Sequence, residues 1–224
     1  MAQAPLAILG GTFDPVHYGH LRLADDVRRT LHLPEVTLIP AGDPPHRSGP
    51  QAPGADRIAM LRLAVREFPG LAVDASEVER SGKSYTVLTL EALRRDDPAR
   101  PLLLLLGADA FLGLPTWHRW RDIFTLAHIV VVARPGVALR ADMSPELAAQ
   151  WEARIVDDPA ILFSSPAGSI YQQDVAPQAI SATQIRMQLA RGAAGKSAVS
   201  QLLPSAVLAY IDQNRLYTST PDAP

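Results

Sequence analysis

Cysteine is absent from all 224 residues, which removes disulfide staples, thiolate metal sites and a cysteine nucleophile together. Any bound metal must be held by oxygen or imidazole. No apolar run approaches the ~18 residues that a membrane span needs, the longest being residues 102–106 with their flanks. Residues 1–5 lack the basic start and long apolar stretch of a signal peptide, so the expectation is a cytoplasmic protein outside any membrane. A basic surplus is missing too. The formal charge of −2 offers no general grip on a phosphate backbone, and no nucleic-acid partner is expected. Lysine is scarce while arginine is abundant, a skew that reads as compositional habit. No internal repeat or low-complexity tract is present.

With 47% hydrophobic residues and a mean hydropathy near zero, the chain can bury the core of one α/β domain. Residues 6–9 form an apolar run that ends in Gly10 and Gly11, and a helical spacing of Ala24, Val27 and Leu31 follows. Further strands are expected at 36–39, 71–73, 102–106 and 128–133. Helices are expected through Ile58, Leu61, Val65 and Phe68, at 85–95, from a Thr116 cap to about 127, at 180–191 and from Pro204. Alternating strands and helices imply a doubly wound, mainly parallel sheet with helices on both faces. The expected layout is a single domain over 1–217, with a peripheral segment near 137–160 carrying one helix from Ser144 and Pro145, and a loose tail at 218–224. The stretch 40–54 holds five prolines and three glycines, the mark of a functional loop or of disorder.

Most of the chemical information lies in the first strand-to-helix turn, from Gly10, Gly11, Thr12 and Phe13 through Asp14 and Pro15 to His17, Gly19 and His20. In an open parallel sheet, ligands bind beyond the carboxyl ends of the strands, where helix N-termini offer backbone donors to anions. Glycines let the backbone approach phosphate oxygens, and two histidines three apart can face one ligand, each supplying an N–H. Asp14 is expected to fix the turn by bonding backbone groups two residues on. Two rival nucleotide motifs fail on inspection. The turn lacks G-x-G-x-x-G spacing, which argues against a dehydrogenase. Gly195-Lys196-Ser197 and Gly82-Lys83-Ser84 resemble P-loop ends, but Ala190 and Glu77 stand where the first glycine belongs.

The H-x-G-H pattern of His17–His20 resembles that of the nucleotidyltransferase superfamily, and the whole chain looks like a bacterial nicotinate-nucleotide adenylyltransferase. The likeness includes Pro44-Pro45-His46-Arg47, Ser84-Tyr85-Thr86, Gly107-Ala108-Asp109, Pro115-Thr116-Trp117, Arg134-Pro135-Gly136 and the run from Ile180 to Arg186. It implies a Rossmann-like fold in which the segment holding Ile180, Ser181, Thr183 and Arg186 faces His17 and His20 across the ATP phosphates. Ser181 and Thr183 suit a first helical turn, and Arg186 offers a planar fork to phosphate oxygens. His46, Arg47 and Arg134 are further implied phosphate ligands, with a merely solvated pair the alternative for His46 and Arg47. Ala182 stands where many relatives carry a second serine.

For the second nucleotide the resemblance implies Thr86, Gly107, Asp109, Trp117 and His118. Asp109 suits either a ribose hydroxyl or the capping of the next helix. Trp117 suits either a nicotinate ring or the core, and backbone N–H groups near Thr86 and His118 suit a carboxylate. The implied reaction joins ATP to nicotinate mononucleotide, with Mg2+ carried mainly by ATP oxygens and no protein metal site. Transferases acting on phosphopantetheine or on the amide mononucleotide are the nearest rivals, and a nucleotide-binding regulator is a rival of another class. A homo-oligomer is compatible with the sequence.

Overall fold

Strand residues split cleanly between two apolar faces, because successive side chains on a strand point to opposite sides of the sheet. Ala7 and Leu9, Val36 and Leu38, Leu103 and Leu105, and Val130 and Val132 enter one core, with Ile8, Ile39, Leu104 and Val131 in the other. The computed structural model describes residues 4–44, 49–133, 139–176 and 180–218. In chain order these form β1 (Leu6–Gly11), α1 (Tyr18–Thr30), β2 (Val36–Pro40), α2 (Gly54–Ala64), β3 (Leu71–Val73), α3 (Ser76–Glu79), α4 (Thr86–Asp96) and β4 (Leu102–Gly107). They continue with α5 (Ala108–Leu112), α6 (Trp120–Leu126), β5 (His128–Ala133), α7 (Pro145–Arg154), β6 (Ile170–Asp174), α8 (Ala182–Leu189), α9 (Ala193–Val199) and α10 (Ser205–Gln213).

The six strands make one parallel sheet in the order β3-β2-β1-β4-β5-β6. Strand order reverses between β1 and β4, so a crevice opens beyond the carboxyl ends of these two strands, where such sheets bind ligands. Central β4 reads Leu-Leu-Leu-Leu-Leu-Gly and is buried on both faces, as a covered parallel strand must be. Each leucine there stabilises the fold by roughly 1.5–3 kcal/mol through burial alone. On α1, Leu21, Ala24 and Val27 face the first core, and Arg28 and Arg29 lie in the last turn, where the helix dipole favours cations. Leu139, Met143, Leu147 and Ala148, around and within α7, belong to the second core.

Several features depart from the sequence-based expectation, among them the helix expected through Phe68, which ends at Ala64, and the short α3, which was not foreseen. Strand β6 was not expected, since Ile-Tyr-Gln-Gln-Asp carries one strong apolar residue. It lies at the sheet edge, paired along its length with β5 and met on its other side by an isolated bridge from Ile155 to Ile170, and polar side chains are tolerated there. Helix α9 was also unforeseen. Gly195 lets it press against α8, where a Cβ would meet the Gln188 backbone. Thr116 does not cap a helix: residues Leu114–Thr116 form a 3-10 turn, its hydroxyl donates backward to the Gly113 carbonyl at 2.8 Å, and α6 begins only at Trp120. The expected helix at 180–191 begins at Ala182, with Ser181 as its N-cap.

Candidate active site

Beyond β1 the backbone turns through Thr12 and Phe13, the latter at φ 50°, a left-handed conformation that only strong surroundings impose on an aromatic residue. Fully buried Arg57 supplies part of that support, donating to the carbonyls of Thr12 at 2.8 Å, Ala52 at 3.2 Å and Gly42 at 3.4 Å. Asp14 fixes the turn in a way different from the expected local one. Its buried carboxylate accepts from the backbone N–H groups of Gln51 at 2.8 Å and Ala52 at 3.1 Å, which tie down the far end of the proline-rich loop.

His17 is the N-cap of α1 and His20 lies in its first turn, so the spacing of three places both rings on one face. The rings stack with centroids 3.7 Å apart and planes 23° apart, and the Phe13 ring stands edge-on to His20 at 5.0 Å. Gly19 makes the stack fit, because a Cβ there would lie 2.9 Å from His17 Nδ1. Burial lowers the His17 pKa from 6.5 to about 4, since a charged imidazole cannot be solvated there. His20 is pushed well below its ordinary value, first by burial and then by the neighbouring His17. Both rings are therefore neutral at pH 7, each with one N–H donor and one acceptor nitrogen. The Nδ1 atoms of both rings are buried without a partner among the described residues.

Across the crevice, α8 brings in the second motif. Arg186 Nη1 donates to the Asp14 carbonyl at 2.7 Å and Nη2 to Thr183 Oγ1 at 3.4 Å, so the guanidinium joins α8 to the histidine turn. Its Nε is buried without a partner among the described residues. Ile180 lies against the same turn, 3.4 Å from the position of a Cβ on Gly19. Ser181 makes no side-chain cap, so the first N–H groups of α8 keep no side-chain partner at that position. His17, His20, Ile180, Thr183 and Arg186 thus share one locale. His46, Arg47 and Arg134 lie outside the described residues.

The other expected residues sit farther along the same sheet edge. Gly107 ends β4 and is the N-cap of α5, while Asp109 stands exposed in the first turn of α5 and caps nothing. Thr86 opens α4, where the first N–H groups have no intrahelical acceptor. The ring of the preceding Tyr85 packs on His118 with centroids 4.4 Å apart, which brings the loop of Trp117 and His118 to the start of α4. Trp117 is half-buried against the second core, whereas Trp120 is 7% exposed and stands edge-on to Phe124.

This arrangement has close counterparts in sequence. A cytidylyltransferase-like family model matches residues 8–188. A protein of Dechloromonas aromatica named "Probable nicotinate-nucleotide adenylyltransferase" is 49% identical over 218 residues, which cover 96% of this chain and 99% of that protein. A protein of the same name from Laribacter hongkongensis is 47% identical, over 98% of this chain and 97% of that protein. The chain belongs to the nicotinate-nucleotide adenylyltransferase family. In fold it is similar to the Plasmodium falciparum nicotinic acid mononucleotide adenylyltransferase solved with NaAD. The TM-score is 0.71 at 16% identity, over 96% of this chain and 98% of that one.

Several residues that shape this family member's site escape a reading of sequence alone. Arg57 reads as a solvated helix arginine, yet is 1% exposed. Ser84 Oγ accepts from the N–H groups of Gly42 at 2.8 Å and Asp43 at 3.3 Å, anchoring the near end of the proline-rich loop. Arg119, at φ 52°, pairs with Glu91 on α4 at 2.8 Å and with Asp122 at 2.7 Å, fixing the loop of Trp117 and His118. No local signal marks the left-handed backbone at Arg119. A surface cleft of about 410 Å³ lined by Asp26, Arg29 and Asp174 shares none of the site residues. Among the described residues no helix is long and apolar enough to cross a membrane, and no three His, Asp or Glu side chains converge as a metal cage.

Proposed function

We propose that the chain transfers the adenylyl group of ATP to nicotinate mononucleotide, giving nicotinate adenine dinucleotide and pyrophosphate. The observation that carries this reading is the stacked, neutral pair His17 and His20 with Arg186 locked to the same turn, on a chain 49% identical over nearly its full length to a relative named for this activity. A phosphate oxygen of the mononucleotide attacks the α-phosphorus of ATP. The bond to the bridging oxygen breaks, and pyrophosphate leaves with that electron pair. Nothing in this step requires a covalent enzyme intermediate, so the protein's work is alignment and neutralisation of shifting charge.

The roles divide by position. Gly10, Gly11, Thr12 and Phe13 bring backbone close to the phosphates, and the Nε2 edges of His17 and His20 donate to phosphate oxygens. Neutral rings suit this use, because they donate without titrating near pH 7. Arg186 keeps N–H groups beyond those used on Asp14 and Thr183, enough to meet an oxygen of the leaving group. His46, Arg47 and Arg134 add to the phosphate contacts in this reading. Gly107 and Asp109 serve a ribose, Trp117 stacks on the nicotinate ring, and the N–H groups at the start of α4 near Thr86, with that of His118, receive its carboxylate. Magnesium prefers oxygen donors and keeps several waters, so it would be carried by ATP oxygens rather than by a protein cage and would supply charge neutralisation for the triphosphate. The cytoplasm, with its pool of ATP, is the setting that fits.

Purified protein with ATP, magnesium and either mononucleotide tests the reading. The acid is expected to give product with the larger kcat/KM, since a free carboxylate gains from helix N-terminal donors and an amide carries no charge for them to stabilise. Equal or reversed preference would sink the substrate assignment.

A further inference from the structure

Tyr217 lies 203 positions from Asp14, yet its hydroxyl donates to Asp14 Oδ1 at 2.7 Å in the protein interior. The same carboxylate takes the Gln51 N–H on Oδ2 and the Ala52 N–H on Oδ1, while the Asp14 carbonyl takes Arg186 Nη1. One residue of the histidine turn is therefore the meeting point of the proline-rich loop, the second motif and the end of the described chain. Tyr217 is 7% exposed and packs in the first core at φ 59°, a left-handed backbone that is uncommon for an aromatic residue and is held by its surroundings. Burial and the Asp14 carboxylate both raise the Tyr217 pKa, so the phenol keeps its proton and remains a donor.

We infer that Tyr217 is a positioning residue for adenylyl transfer: its hydroxyl holds Asp14 so that the turn presents His17 and His20 while the Asp14 carbonyl stays on Arg186. Tyr217 touches no substrate. Without the hydroxyl, Oδ1 keeps only the Ala52 N–H, and one of the three contacts that hold the Asp14 carboxylate is lost, which loosens the turn. Displacements of about 1 Å at a reacting centre can cost 10²-fold in rate, so a partial loosening is expected to cost about tenfold. This inference rests on the proposed reaction, but its geometric content does not.

The test compares Tyr217→Phe with Tyr210→Phe in the full chain. Tyr210 donates to Asp56 at 2.8 Å from α10, so its loss also removes one Tyr–Asp bond, away from the turn. Tyr217→Phe is expected to lower kcat about tenfold with KM for both nucleotides within about twofold, and Tyr210→Phe to leave kcat unchanged at a similar thermal stability. A folded Tyr217→Phe with wild-type kcat overturns the inference. Should Tyr217→Phe not fold, Asp14→Asn decides: its amide cannot accept all three donors, and a folded variant with undiminished kcat overturns the inference equally. Failure of both to fold beside a folded Tyr210→Phe makes the contact structural only, which also overturns it. Imidazole NMR separates this outcome from failure of the proposed reaction. If wild-type protein makes no dinucleotide, the His17 and His20 resonances must still move in Tyr217→Phe and stay in Tyr210→Phe. Unmoved resonances refute the positioning role.

Discussion

Arg186 and Asp14 stand 172 positions apart and meet through a 2.7 Å hydrogen bond from guanidinium Nη1 to the backbone carbonyl. That bond makes the two motifs one object. An arginine in this place does two things at once, orienting the histidine turn and offering its remaining N–H groups to phosphate. A lysine ammonium is a point charge on a flexible stem and cannot reproduce the fork. Arg186→Lys is therefore expected to reduce kcat/KM for ATP by about tenfold or more, with both kcat and KM affected. Steady-state kinetics at varied ATP measure this, and a wild-type profile would remove Arg186 from the site.

His20→Ala removes an N–H donor directed at charge that develops in transfer. Losing one such donor typically costs about 10²-fold in kcat. The variant is expected to keep its circular dichroism spectrum and to bind nicotinate mononucleotide nearly as well as wild type. Folded protein with near-normal turnover would show that His20 only packs against Phe13 and His17.

Burial of the histidines predicts a specific pH dependence of stability. A histidine whose folded pKa is depressed favours the neutral form in the fold, so the unfolded chain binds more protons below pH 6.5. Stability is fully present above about 6.5 and falls as pH drops through the window down to the folded value. For His17 that window runs from 6.5 to about 4, and each pKa unit corresponds to about 1.4 kcal/mol, giving a loss on the order of 3 kcal/mol. His128 acts in the same direction. It is fully buried, Nε2–H donates to the Ser165 carbonyl at 2.8 Å, and Nδ1 accepts the Ser169 N–H at 3.1 Å, so a second ring proton has no place. Denaturant titrations at pH 7 and pH 5 are expected to show a clear loss at pH 5, smaller in His17→Gln than in wild type. A flat wild-type response would contradict the neutral pair.

Strands β1 to β5, their parallel arrangement and the histidine turn are legible because they rest on local patterns: apolar runs such as those ended by Gly10 and Gly107, and the helical spacing of Ala24, Val27 and Leu31. Edge strand β6 was hidden, since its polar residues are permitted by position rather than by composition. The partners of Asp14 were hidden for another reason. Asp14 bonds Gln51, Ala52 and Tyr217, and no spacing rule connects residues that far apart. Thr116 misled because a capping residue followed by an apolar pattern is a fair helix signal, yet Pro115 sits within a 3-10 turn and the left-handed Arg119 delays α6 to Trp120.

Trp117 and Trp120, three residues apart, divide the work of ring packing in a way kinetics can resolve. Trp120 is 7% exposed, stands edge-on to Phe124 at 6.0 Å and lies under the Arg121 guanidinium at 4.5 Å, so its indole is spent on the core. Its truncation leaves a cavity, and Trp120→Ala is expected to cost about 3–5 kcal/mol of stability. Trp117 is only half-buried, packed on one side against the second core and held beside α4 by the Tyr85–His118 contact and by Arg119 on Glu91. An indole held on one side offers its free surface to a flat ring, and the positive charge of a pyridinium is drawn to an aromatic face. Stacking of this kind acts on the mononucleotide and leaves ATP untouched. Trp117→Ala is therefore expected to raise KM for nicotinate mononucleotide about tenfold, with KM for ATP and thermal stability changed little. Trp117→Phe should recover part of the loss, because a smaller ring keeps some of the stacking area. Equal effects on both substrates, or unfolding comparable with that of Trp120→Ala, would return Trp117 to the core.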